Sequence, residues 1–256
     1  MSDRLHHDHH DAASYGIRLA DDYDDIYDGV FDTDGAVECL VGLAEGGRVL
    51  ELGVGTGRIA VPLAERSLDV WGVDGSQGML DRLVEKAGGE RVHVVCDDFA
   101  TTTVEGHFDL VLLLVNTIYA MPTQDDQVAC FANAARHLRI GGRFVVEAWV
   151  PDPPRDRLGL KARRLAHGLA GLVIEDHDPG LQTLSTTQIV ITETGQTQTF
   201  PVVHRYAWPA ELDLMARING MSLEHRWGDW QRRPFDWRST DHISVWAKNG
   251  PDQRDA

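Results

Sequence analysis

The stretch Val49-Leu50-Glu51-Leu52-Gly53-Val54-Gly55-Thr56-Gly57-Arg58 decides the fold. A short apolar run reads as a buried strand, an acid stands near its end, and glycines follow at a spacing of two. Glycine has no Cβ, so such a loop lets the backbone pass very close to a ligand. The helical pattern GRIAVPLAERS (57–67) comes next, so the loop joins a strand to a helix.

Outward from this loop, short apolar runs alternate with helical patterns. RVLELG (48–53), DVWGVD (69–74), RVHVVCDD (91–98), FDLVLLLVN (108–116) and RFVVEAWV (143–150) read as strands. SQGMLDRLVEKAG (76–88) and QDDQVACFANAARHL (124–138) read as helices. Strands apolar on both faces, separated by helices, predict a parallel sheet covered on both sides. The right-handed crossover makes it doubly wound. After Pro151 the pattern breaks at PDPPRDR. Three β-rich stretches follow, at 172–178, 184–193 and 197–208, and read as an antiparallel insertion. PAELDLMARING (209–220) reads as a helix with proline in its first turn. SLEHRWGDW (222–230) and DHISVWAK (241–248) form a closing strand pair. Upstream, Tyr15, Leu19, Tyr23 and Tyr27 recur every four residues, along one face of a helix. A second helix, capped by Asp34, ends at Gly46-Gly47. The expected plan is a disordered tail (1–14), an N-terminal helical lid (15–45), a core (46–150), an antiparallel β insertion (151–208), the closing helix and strands (209–248) and a tail (249–256).

The chain has 256 residues and a net charge of -16, from 40 acidic and 24 basic side chains. That field repels phosphate backbones, so nucleic acid is not the expected substrate. No apolar run reaches the roughly 20 residues of a membrane-spanning helix, and the N-terminus lacks a signal-peptide pattern. A cytoplasmic protein without a membrane partner is expected. Cys39, Cys96 and Cys130 are too scattered for a disulfide framework or a zinc site, and all sit in apolar segments, so they read as buried thiols. HHDHH (6–10) reads as part of a tail, and no metal is expected. KARRLAH (161–167) reads as a solvated helix face.

Two ligands compete for the glycine loop. A dinucleotide fingerprint is GxGxxG, with a pyrophosphate at the helix start. Here the third glycine arrives one residue early, and Glu51 would repel pyrophosphate. A carboxylate there suits an ammonium group. The pattern resembles motif I of class I S-adenosylmethionine (SAM) methyltransferases, E-x-G-x-G-x-G. The second strand ends at Asp74, where an acid accepts hydrogen bonds from ribose hydroxyls. Gly75 and Ser76 turn the chain, and Met79 lies toward the adenine. The third strand ends in Asp97-Asp98-Phe99. In the family an acid here takes the adenine amino group and the next residue covers the ring, which implies Asp98 and Phe99, with Asp97 the alternative acid. The fourth strand ends at Val115-Asn116, at the floor of the family's active site. The resemblance thus implies a Rossmann-like seven-stranded sheet, SAM as cofactor with S-adenosylhomocysteine (SAH) as product, and a site built from Tyr23, Glu51, Gly53, Gly55, Gly57, Arg58, Asp74, Gly75, Met79, Asp98, Phe99 and Val115.

The methyl acceptor is less legible. Asn116-Thr117-Ile118-Tyr119 lacks the prolines of nucleic-acid amino-methylating enzymes, and no Pro-Cys pair supports a cysteine nucleophile. The layout of tyrosine-rich lid, core and late β insertion is similar to actinobacterial antibiotic-pathway N-methyltransferases, those of deoxyaminosugars and of lincosamides. Lincosamide enzymes pair N-terminal tyrosines eight residues apart with an aromatic after the fourth strand. Tyr15, Tyr23 and Tyr119 match that arrangement. The aminosugar enzymes carry a histidine near the last position, where this chain has Tyr119-Ala120. The resemblance implies N-methylation of a small-molecule amine by alignment, with Tyr23 and Tyr119 carrying catalysis and Tyr15, Tyr27, Asn116 and Tyr119 facing the substrate; His204, in HRYAW on the insertion, is a further candidate to face it. The alternatives are O- or C-methylation with His204, Glu147 or Asp229 as general base, and a non-catalytic SAM-binding protein. The β insertion is a candidate surface for a homo-oligomer.

Overall fold

The apolar runs at 48–52 and 108–113 place alternate side chains on opposite faces, and both faces are buried. The computed structural model describes residues 31–152, 158–164, 170–191 and 195–250. Strands β1 (Arg48–Leu52), β2 (Asp69–Asp74), β3 (His93–Cys96), β4 (Phe108–Leu113) and β5 (Leu138–Trp149) are parallel. Val49, Leu110 and Leu112 enter one core layer, and Leu50, Leu52, Val111 and Leu113 enter the other. Each such leucine, fully buried, contributes about 1.5–3 kcal/mol. The first layer is closed by α1 (Thr33–Ala44), α2 (Ala60–Glu65) and α3 (Gln77–Glu85). The second is closed by α4 (Gln124–His137) and α5 (Pro209–Ile218).

Four strands after β5, β6 (Leu158–Arg164), β7 (Ala170–Asp178), β8 (Thr183–Ile191) and β9 (Thr197–Arg205), form a separate antiparallel sheet in chain order. The chain then returns to the main sheet through α5, β10 (Met221–Trp227) and β11 (Asp241–Lys248). Strand order in the main sheet is β3-β2-β1-β4-β5-β11-β10, with β11 antiparallel to both neighbours. The doubly wound, seven-stranded α/β class with an antiparallel insertion is therefore as expected. The chain runs from β1 toward one edge and from β4 toward the other, so a crevice opens at the carboxyl ends of these adjacent strands.

Several local expectations are corrected. KARRLAH is not a helix face: its first four residues belong to β6, where Lys161 pairs with Glu175 at 2.8 Å, and residues 165–169 lie outside the described ones. The cross-strand bonds to β7 outweigh the local charge pattern. The insertion has four strands rather than three. Cys96 is exposed, since β3 is the sheet edge, whereas Cys39 and Cys130 are buried. Asp32, not Asp34, caps α1, accepting from the Gly35 N–H at 3.1 Å. β5 starts directly after α4, and Gly141 (φ +75°) allows the bulge between Leu138 and Arg143.

The insertion is fastened over the turn that follows β4. Buried Arg205, at the end of β9, pairs with Glu211 at 2.8 Å and bonds the Gln127 side-chain oxygen. The Gln127 amide donates to the carbonyls of Ile118 (3.0 Å) and Arg205 (2.8 Å). These bonds join β9, α4 and the short helix Thr117–Ala120.

Candidate functional site

The glycine loop closes the carboxyl end of β1. The N–H groups of Gly53 and Val54 both donate to the Val73 carbonyl, at 2.8 and 3.0 Å, tying the loop to β2. Gly53, Gly55 and Gly57 all have positive φ, at +73°, +54° and +78°. Their surroundings differ. A Cβ on Gly53 would lie 2.8 Å from the Thr117 methyl group, and one on Gly57 would lie 2.6 Å from Leu83 Cγ. A Cβ on Gly55 would meet nothing within 4 Å. The outer glycines are thus packed against protein, and the middle one borders open space.

Asp74, at the end of β2, reaches back to this loop. One carboxylate oxygen accepts from Gly55 N–H at 2.8 Å and the other from Ser76 N–H at 2.9 Å. Each oxygen keeps a further lone pair. Burial raises the Asp74 pKa, partly countered by those two bonds. Gly75 makes the turn into α3, and its carbonyl lies 3.9 Å from Cys96 Sγ. Met79, in the first turn of α3, is buried. Phe99 is also buried, and its ring edge lies 3.8 Å from a Cβ placed on Gly53. Asp98 is exposed and accepts from Ala100 N–H (2.9 Å) and the Thr101 hydroxyl (3.2 Å). Asp97 accepts from Asp98 N–H and the Thr102 hydroxyl, which hold its pKa low. Two expected positions outside the loop, Asp74 and Phe99, therefore meet its glycines.

Glu51 is buried beside the loop, and one of its oxygens, Oε2, has no partner. Burial pushes its carboxyl up to about 8, against the pull of the Arg58 charge and a backbone bond from Ala60. Arg58 itself leans toward α1: it donates to the Thr33 hydroxyl at 2.9 Å and stacks over Phe31 at 4.6 Å. SAM fits this arrangement. The space above Gly55 is open, the Asp74 oxygens have lone pairs left for hydroxyls, and the orphaned Glu51 oxygen suits an ammonium donor.

The turn after β4 is the second wall. Val115 and Asn116 both have left-handed φ, +52° and +61°. For a β-branched residue this is a strained conformation. Val115 N–H donates to Glu147 Oε2 at 3.1 Å, and the Asn116 side-chain oxygen accepts from Trp149 N–H at 2.7 Å. The other Glu147 oxygen accepts from the Trp230 indole at 2.7 Å.

Tyr119 is placed differently from expectation. Its ring is fully enclosed, edge-on to Trp149, and its hydroxyl lies 2.9 and 3.0 Å from the carbonyls of Trp149 and Ala207. Burial raises its pKa, so the phenol stays protonated. This is a packing position beneath the turn, not a surface facing a ligand. The reason is tertiary, because β9 and the insertion cover the short helix that carries it. His204, on β9, is half-buried and held neutral by burial. Of the other base candidates, Glu147 has both oxygens bonded within the protein. Asp229 is bound by Arg233, whose N–H bonds and charge outweigh burial and keep its pKa low. Tyr15, Tyr23 and Tyr27 lie outside the described residues.

Sequence reasoning missed Trp230, and it missed a buried pair on the insertion: His177 Nε2 lies 2.9 Å from the Tyr206 hydroxyl, beside Trp149. An acid within an apolar strand signalled Glu147. Nothing local marked Trp230 or His177.

Residues 49–142 match the family described as a methyltransferase domain. The cypemycin N-terminal methyltransferase of a Streptomyces species is 33% identical over 206 residues, 78% of this chain and 83% of that protein. The structure of the CcbJ methyltransferase from Streptomyces caelestis matches with a TM-score of 0.88 and 36% identity, over 94% of this chain and 100% of that one. The SAM-bound structure of CalS10, an amino pentose methyltransferase from Micromonospora echinaspora, shares the fold, with a TM-score of 0.65 at 18% identity over 85% of this chain and 90% of that one.

Proposed function

We propose that this chain, which belongs to the SAM-dependent methyltransferases, methylates an amine nitrogen of a small secondary metabolite. It is an enzyme, and SAM is its cofactor. SAM supplies an activated methyl group when bound.

The chain's own residues have these proposed roles. The loop at Gly53, Gly55 and Gly57 carries the cofactor backbone-first, with Arg58 behind it. Glu51 faces the ammonium group and Asp74 the ribose hydroxyls. Gly75, Met79 and Phe99 border the adenine, Asp98 takes its amino group, and Val115 closes the pocket. Asn116 and His204 border the acceptor, Tyr119 sets the floor beneath them, and Tyr15, Tyr23 and Tyr27 belong to the lid.

One observation carries the choice of nitrogen: the two acids that the sequence offered as bases, Glu147 and Asp229, are already engaged by protein N–H groups. A hydroxyl or carbon acceptor needs a general base. A neutral amine needs alignment and exclusion of water. The name of the relative at 33% identity, a cypemycin N-terminal methyltransferase, agrees with an amine acceptor. The test is SAM turnover on paired acceptors: N-terminal amines of short peptides, cyclic secondary amines and amino sugars, each beside its hydroxyl analogue. Amine acceptors should release SAH and their hydroxyl analogues should not, and His204→Ala should keep most of the amine activity. Turnover of a hydroxyl analogue that His204→Ala abolishes would establish O-methylation instead.

The position of Glu51 sets a pH dependence. Its folded pKa is raised to about 8, so the free protein holds a proton there at neutral pH. An ammonium group beside it favours the carboxylate, so SAM binding releases that proton. Affinity therefore rises with pH below about 8, by up to tenfold per unit. Above this the ligand's own α-amino group, with a pKa of roughly 7.7–8.0, loses its charge. The expected profile is a maximum near pH 8, and Glu51→Gln flattens its acid side. Calorimetry in buffers of different ionisation enthalpy measures the proton release; none at pH 6.5 in the parent protein would remove Glu51 from the ammonium site.

A further inference from the structure

We propose that Glu147 is a positioning residue for the cofactor loop, acting with Trp230: its carboxylate locks the left-handed turn at Val115–Asn116, and that turn buttresses the glycine loop through Thr117. The inference rests on the reading that the loop at Gly55 holds SAM.

The turn needs an external hold. Two successive non-glycine residues with positive φ, the first β-branched, are strained and persist only where surrounding bonds enforce them. Glu147 supplies two of those bonds. Its side chain accepts from Val115 N–H at 3.1 Å, and its backbone carbonyl accepts from Asn116 N–H at 3.0 Å. From the next residue but one on the same strand, Trp149 N–H grips the Asn116 side chain at 2.7 Å. The turn is thus held by β5 on both sides.

The connection then runs to the cofactor loop. Thr117 is fixed by two bonds to the Leu114 carbonyl, from its N–H at 3.1 Å and its hydroxyl at 2.6 Å. Its methyl group then lies 2.8 Å from where a Cβ of Gly53 would sit. A shift of the turn therefore moves an atom packed closely against the first glycine.

Trp230 completes the device from the segment between β10 and β11. Its indole N–H donates to Glu147 Oε1 at 2.7 Å, so the carboxylate has a donor at each oxygen. The ionised form accepts most strongly at both oxygens. Protonation would weaken acceptance at the oxygen that carries the proton. The charged groups acting on Glu147 are Arg58, from the loop after β1, and Asp241, on β11; Glu147 in turn acts on Glu51 of β1. Burial raises the Glu147 pKa, and the Trp230 and Val115 bonds with the Arg58 charge oppose it.

The test uses the full chain with SAH as the probe, at a temperature well below melting. Glu147→Gln turns an amide NH2 toward one of the two donors, and Trp230→Phe removes the indole N–H while keeping an aromatic ring. Glu147→Gln should weaken SAH about ten- to hundredfold, the range set by one buried donor left unpaired. Trp230→Phe should weaken it less. The double variant should bind no worse than Glu147→Gln alone, because both act through one device. In nitrogen-labelled protein the Trp230 indole resonance, assigned by its loss in Trp230→Phe, should shift when SAH saturates the parent. By reciprocity the loop must act back on the clamp. In Glu147→Gln that resonance should not respond. Folded variants with parental SAH affinity, losses that multiply in the double variant, or an indole resonance indifferent to SAH in the parent would each overturn the inference. Gly55→Val is titrated alongside. Parental SAH affinity in that variant marks failure of the cofactor-loop reading itself, and the inference falls with it.

Discussion

Gly55→Val is expected to remain folded at a lowered melting temperature and to lose at least a hundredfold in SAM affinity, about 2.7 kcal/mol or more. The fold tolerates the change because a Cβ at this position meets no protein atom within 4 Å. The local cost is the strain of a β-branched residue at φ +54°, on the order of 1–3 kcal/mol. What the branched side chain does occupy is the open space above the loop, where the proposed site carries the cofactor. Gly57→Val is the matched contrast. Its Cβ would stand 2.6 Å from Leu83 Cγ and 3.0 Å from Val61 Cγ2, so this variant should lose stability first. Thermal melting and calorimetry on the two proteins separate the effects. A Gly55→Val protein that binds SAM like the parent would place the cofactor elsewhere.

The second large effect is expected at Asp74. On the proposed reading, removing its carboxylate deletes two charge-assisted hydrogen bonds to ribose hydroxyls, each worth roughly 1.5–3 kcal/mol. Asp74→Ala should therefore weaken SAM by about a hundredfold to ten-thousandfold. Part of this loss arises within the protein, because the same carboxylate holds Gly55 N–H at 2.8 Å and Ser76 N–H at 2.9 Å. Asp74→Asn keeps one acceptor oxygen and should fall between parent and Ala. Binding of 5′-methylthioadenosine, which carries the ribose without the amino acid portion, should fall by a similar factor. An unchanged dissociation constant in Asp74→Ala would assign the ribose to another acid.

Both predictions concern residues that local pattern had marked, and the reason is geometric. Glycine spacing reports backbone conformation, and all three loop glycines do adopt positive φ. An acid at a strand end is placed by the strand itself, which is why Asp74 reaches the loop from β2. Apolar runs at 48–53, 69–74 and 108–116 required a sheet buried on both faces, because no other arrangement removes both sets of side chains from water. The crevice at the ends of β1 and β4 follows from that topology.

Depth and long-range pairing were not legible in the same way. Tyr119 reads as an exposed aromatic after a strand, yet β9 arrives from the insertion and encloses it, with Ala207 taking its hydroxyl from 88 residues away. Glu147 reads as a free acid, but Trp230, 83 residues later, and Val115 use both its oxygens. The segment 161–164 reads as a charged helix face and becomes an edge strand once β7 is beside it. Periodicity and glycine spacing are properties of neighbouring residues, so the chain alone determined the doubly wound sheet, the glycine loop and the acid at Asp74. Whether a polar side chain faces a ligand, a backbone carbonyl or another side chain depends on which distant segment covers it, and only the packed structure decided that.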